Sequence, residues 1–186
     1  MVNASFMRKP LGYALAGVFA AFIAVGAQLK VILPFSPVPI TFQTLFLYLA
    51  AGVLGARLSA LSAMIYIMLG AFGLPVFAGG GGPLYLIGPT GGYLLGFVVA
   101  AFIIGFLIER KSRSLAWIFT SMFLGFLLLC AIGVVYLWLY YNVVLETPME
   151  FLYAFTIGFL PFIPGDFVKC LVAAIIAYRV RGFLAR

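Results

Sequence analysis

Histidine is absent from the 186-residue chain. That absence removes imidazole-ligated metals, Ser-His-Asp catalysis and imidazole proton relays together. Charge is nearly as scarce. Charged residues make up 8% of the chain and only four are acidic, where a soluble domain carries roughly 25% charged residues. The two cysteines, Cys130 and Cys170, lie in apolar runs without a CxxC or metal-ligand spacing. They read as small hydrophobes, and no metal or cofactor is expected. There is no G-x-x-x-x-G-K-[ST] loop for ATP and no HExxH. What is abundant is apolar: 66% of the residues are hydrophobic and 17% aromatic, with a mean hydropathy of +1.26. This composition excludes both disorder and a water-soluble globule, and places the chain in lipid.

A spanning helix needs about 20 mostly apolar residues. Runs at Leu11 to Leu29, Ile40 to Leu54, Leu58 to Phe72, Gly91 to Ile108, Leu115 to Tyr141 and Pro164 to Val180 predict six helices. The first is too long for a signal-peptide core and reads as retained. The second and third are short for full spans. Phe151 to Phe162 is too short to span and reads as interfacial or re-entrant. The expected fold is all-α, a single domain over 1–186 with a bundle of six transmembrane helices. A long uncharged glycine-proline loop at 73–92 follows the third helix.

The basic residues agree with that count. With the N-terminus inside, Arg8, Lys9, Arg57, Arg110, Lys111, Arg113, Arg179, Arg181 and Arg186 fall on the cytoplasmic side, nine of the eleven bases. The other face has only Lys30 and the acids Glu146 and Glu150. This is the positive-inside pattern, with both termini cytoplasmic. The +7 charge is thus a topology signal, and no nucleic-acid partner is expected.

Asp166 and Lys169 are the costly residues. They sit inside the sixth run, where a charge costs about 2.5–3.5 kcal/mol, and the i, i+3 spacing puts them on one helix face. They read either as an N-terminal anchor with its counter-charge or as a functional pair. The pair, the proline cluster Pro34, Pro37 and Pro39, and the 73–92 loop all fall on the same side of the predicted bundle. A loop that is apolar as well as glycine-rich reads as a lid packed inward over a small cavity. Small residues recur at Gly12, Ala16, Ala20 and Ala24, and again at Gly88, Gly92, Gly96 and Ala100. Such stripes allow close helix approach in lipid. The second set reads as internal packing; the first serves an internal neighbour or an external helix equally well.

The blocks GAQLKVILPFSPVPITFQTLFLYLAAG (26–52), GLPVFAGGGG (73–82), GPTGGYLLGF (88–97) and PFIPGDFVKC (161–170), in this order, resemble the BioY family. These are the biotin-specific substrate-binding (S) components of energy-coupling factor (ECF) transporters. The resemblance covers the whole chain. It implies a cell-membrane protein without enzymatic activity that captures biotin from outside and delivers it inward with an ECF energising module. That module comprises a transmembrane coupling subunit and two ATPase subunits. The resemblance assigns biotin contacts to Asp166 and Lys169 of the PGDxxK block. Gln43, Gln28, Thr90 and Tyr93 are further hydrogen-bonding candidates, and Phe77 and Tyr85 candidates to cover the rings. It also implies docking of the coupling subunit on Ala16, Ala20 and Ala24. No Arg or Lys lies between Arg57 and Arg110, so the valerate carboxylate falls to Lys169 or to backbone N–H groups of the glycine loop. An S component for another small vitamin, and a non-transporting helical adaptor, are the alternatives.

Overall fold

The computed structural model describes residues 9–111 and 114–184. Six long helices form the bundle: α1 (Lys9–Gln28), α2 (Gln43–Leu54), α3 (Ala56–Ala71), α5 (Gly91–Arg110), α6 (Leu115–Leu139) and α8 (Ile163–Leu184). Two short helices join them, α4 (Pro83–Ile87) within the glycine-proline loop and α7 (Phe151–Gly158) ahead of α8. Four segments are long and apolar enough to cross a membrane: Pro10–Gln28, Gly91–Arg110, Leu115–Val144 and Phe151–Phe183. The last joins α7 to α8 through the tight turn Leu160–Phe162. The apolar run at 151–162 therefore makes a short helix and a turn that lead directly into α8.

The second helix starts later than the sequence suggested. Ile40–Thr41 is not helical but forms a strand, β2, antiparallel to β1 (Lys30–Val31), with Lys30 opposite Thr41 and Val31 opposite Ile40. Pro37 and Pro39 hold the residues before them extended, and β-branched Ile40 and Thr41 suit a strand. The twelve residues of α2 then reach only about 18 Å, well short of a hydrocarbon core of about 30 Å. Non-helical backbone is tolerated at such depth only where it is buried in protein or lines a cavity. Thr41 is buried, and it lines one.

Small residues set how closely the helices approach. A methyl group added at Gly92 of α5 would lie 2.2 Å from the Tyr136 Cβ of α6. The stripe of Gly92, Gly96 and Ala100 is thus internal, while Gly88 precedes the start of α5. The stripe on α1 is internal too, which corrects the docking assignment. Ala16 and Ala20 are 0% and 1% exposed, turned toward α2 and α3, and Ala24 is half-buried. An i, i+4 stripe of small residues serves an inner neighbour as well as an outer one, so its spacing could not decide. The outward face of α1 instead carries Ala14, Val18, Ala21, Phe22 and Val25, with half-buried Gly17 beside them.

The chain-terminal ends of α1 and α8 and the α2–α3 hinge gather at the end of the bundle away from the 30–41 and 73–92 loops. Gly55 takes a positive φ of 83° there. Glu109 accepts from the Ala56 N–H through Oε1 at 2.9 Å, capping the start of α3 with negative charge. Arg181 is buried and donates through Nη1 to the Gly52 carbonyl at 2.9 Å, satisfying an orphan acceptor at the end of α2. A methyl group at Gly52 would meet Ala177 at 2.6 Å and Met122 at 2.9 Å. This end is closely packed and hydrogen-bonded across helices. Arg8, Arg113 and Arg186 lie outside the described residues.

Candidate substrate-binding site

Beneath the two loops lies a chamber of about 60 Å³. One wall is polar: Thr41 from β2, Gln43 and Thr44 from the start of α2, and Asp166 and Lys169 from the first turns of α8. The other is largely apolar, built from Tyr93, Phe97, Phe126, Leu129, Cys130 and Phe162. The starts of α2, α5 and α8 all border it, and the positive dipole end of α8 helps to hold the Asp166 carboxylate carried in its first turn. A second cavity of about 420 Å³ adjoins it toward the loops. Pro39, Ala78, Tyr85 and Thr90 form walls common to both.

The ion pair is buried and closely held. Asp166 is 2% exposed and Lys169 8%. Lys169 Nζ donates to Asp166 Oδ2 at 3.0 Å, to the Thr41 carbonyl at 2.7 Å and to Thr44 Oγ1 at 3.1 Å. All three ammonium protons are thereby used. The Tyr48 hydroxyl donates to Asp166 Oδ1 at 3.0 Å. A carboxylate has about four lone-pair sites, so Asp166 keeps acceptor capacity on both oxygens. The pair is thus asymmetric: a saturated cation and an anion that can still accept.

Gln43 is fixed from two sides. It accepts from Thr41 Oγ1 at 2.9 Å through Oε1 and donates to the Tyr66 hydroxyl through Nε2, which leaves one N–H free. Tyr93 donates its hydroxyl to the Gly158 carbonyl at 2.7 Å, so it offers the chamber its ring. Tyr85 and Thr90 also line the chamber.

Two expected contacts do not reach the chamber. Phe77 is buried beneath it, edge-on to Tyr66 and stacked on Tyr85 with centroids 5.1 Å apart. It therefore supports Tyr85 from behind. Gln28 points across to the 73–92 loop, with Nε2 3.4 Å from the carbonyls of Pro75 and Phe77. It ties α1 to the loop. The loop itself packs inward only in part: Phe77 and Ala78 are buried, while Leu74, Leu84 and Ile87 are exposed. Gly70 makes room for Phe77, since a methyl group there would lie 2.0 Å from the ring. We expect Gly70→Ala to displace Phe77 and with it Tyr85. Overpacking of this kind costs about 1–3 kcal/mol, to be read as a lower melting temperature together with weaker ligand binding.

The model of the BioY family matches residues 3–186. The chain belongs to the BioY family. It is 44% identical over 167 residues to the biotin transporter BioY of Thermotoga maritima, covering 89% of this chain and 93% of that one. It is 40% identical over 185 residues to the biotin transporter BioY of Rhodobacter capsulatus, covering 92% and 96%. The fold superposes with a TM-score of 0.84 on a crystal structure of the S-component for biotin from an ECF-type ABC transporter. The two are 27% identical over 94% of this chain and 92% of that one.

The sequence analysis of this BioY chain missed Tyr48, Thr44 and the Thr41 carbonyl, the groups that hold the ion pair. Nothing in the spacing links Tyr48 to an aspartate 118 residues away. Thr41 and Thr44 did stand beside Gln43 in the proline-flanked ITFQT segment, the one local signal available.

Proposed function

We propose that the chain is the biotin-binding S component of an ECF transporter in the cell membrane. It captures biotin from outside, through the loop end of the bundle, and both its termini are cytoplasmic. The observation that carries this reading is the asymmetry of the buried pair. A cyclic urea presents two N–H donors beside one carbonyl acceptor. Asp166 has acceptor capacity for the donors, its charge already balanced by Lys169. The free N–H of Gln43 and the hydroxyl of Thr44 are donors for the ureido carbonyl. The aromatic wall, Tyr85 included, covers the fused rings, and a dry chamber strengthens each polar contact.

Chemical energy comes from elsewhere in the complex: two ATPase subunits act through a transmembrane coupling subunit. The coupling subunit docks on the outward face of α1, on Ala14, Gly17 and Ala21. A methyl group added at Gly17 meets nothing within 4 Å, so that face is open to a partner. Similarity to an S-component taken from an ECF-type transporter supports a coupling subunit as its occupant.

Calorimetric titration of the detergent-purified chain with biotin and a panel of other vitamins tests the reading. Saturable binding of biotin alone is the expected result. Binding of a different vitamin, or of none, overturns it.

A further inference from the structure

We propose that Lys30 is the carboxylate-recognition residue of this site, holding the acid group of the ligand in the outer cavity while the ring occupies the inner chamber. This rests on the biotin reading above and adds to it the orientation of the ligand. The register of the short ribbon is the first support. Lys30 pairs directly with Thr41, and directly opposed residues project from the same face of a ribbon. Thr41 lines the inner chamber and Lys30 the outer cavity. One strand pair thus serves both spaces.

The second support is where an acid cannot go. Lys169 has a partner for each of its protons, so a carboxylate could bind it only by displacing one of them. That carboxylate would also sit beside Asp166, and two anions at close range in a weakly screened chamber repel. The inner chamber suits a neutral ring that donates hydrogen bonds and disfavours an acid.

The third support is the outer cavity. Lys30 is the one charged residue in its walls, which hold no acidic side chain. Its ammonium donates to the Ala78 carbonyl, leaving two protons free. Among the described residues the only ion pair is Asp166 with Lys169, so no described carboxylate competes for Lys30. Thr90, on the wall common to both cavities, has a hydroxyl able to donate to the same anion. The neck between Pro39, Ala78, Tyr85 and Thr90 leads from the inner chamber of about 60 Å³ to the outer cavity of about 420 Å³. A neutral ring in the first and an acid-bearing chain reaching into the second matches the charges of the two spaces.

Titration with biotin and with its neutral primary amide, on the native chain and on Lys30→Met and Lys30→Arg, tests this. The native chain should prefer the acid. Lys30→Met should weaken biotin roughly tenfold or more while sparing the amide, as loss of a charge-assisted hydrogen bond predicts. Lys30→Arg should keep the preference. Added salt should narrow it in the native chain, because Lys30 is exposed and open to screening. A Lys30→Met protein that still prefers the acid, or that loses acid and amide equally, overturns the proposal; equal loss would make Lys30 a strap to Ala78 and nothing more. A native chain that binds neither compound overturns the biotin reading and this inference with it. Native binding of biotin with no change in Lys30→Met overturns the inference alone.

Discussion

Replacement of Asp166 by Asn should abolish high-affinity biotin binding, weakening it about 100-fold or more, since two hydrogen bonds to a charged acceptor are at stake. The same change leaves the Lys169 ammonium buried without a counter-ion. Breaking one side of a buried pair costs about 3–5 kcal/mol, so the melting temperature should fall as well. Lys169→Met should do comparable damage from the other side, by stranding the carboxylate. The combined variant separates the two effects. Asp166→Asn with Lys169→Met removes both charges and substitutes chains of similar size, and neutral replacements of buried pairs are often tolerated. Its melting temperature should recover toward that of the native chain while biotin binding stays lost. Thermal unfolding and titration of the four proteins supply the check. Binding that survives in Asp166→Asn, within a few-fold of native, would remove Asp166 from the site.

Ala21→Trp should leave biotin affinity unchanged and eliminate uptake driven by the ECF module. Ala21 is exposed on α1, so a large ring there meets lipid in the isolated chain and a steric clash in the complex. Ala20→Trp, one position away, should instead fail to fold, because Ala20 is 1% exposed against the core and nothing around it can yield that volume. Uptake of labelled biotin by cells supplying the module, copurification of the coupling subunit, and yield of folded protein distinguish these results. Undiminished uptake in Ala21→Trp would show that this face is covered by lipid alone.

The contrast between Ala20 and Ala21 also shows what the sequence could and could not convey. Six apolar runs were visible because lipid demands length and hydropathy, and their order survives in the structure. Asp166 and Lys169 were visible because ionisable groups are conspicuous in an apolar run. The direction a small side chain faces is not written in its spacing, so Ala16, Ala20 and Ala24 were assigned to a partner when they belong to the core. Gln28 and Phe77 were misplaced for other reasons: Gln28, the last residue of α1, spends its side chain on the loop carbonyls, and in a loop without periodicity no local pattern says that Phe77 supports Tyr85 instead of meeting the cavity. Tyr48 was hidden differently. It is one aromatic residue in an apolar run, and its importance comes entirely from the helix brought beside it. Lys30 was noted only as the lone base on its side of the predicted bundle, and that isolation is what later gave it meaning.

The sealed base of the bundle constrains the route of delivery. With Arg181 tied to Gly52, Glu109 tied to Ala56, and Gly52 pressed against Ala177, the vessel has a mouth and a closed floor. Among the described residues, cargo held in the chamber faces these packed ties across the bundle. Unless those buried ties are broken, it leaves by the way it came. Release on the opposite side would require either that these ties break or that the mouth itself comes to face that side.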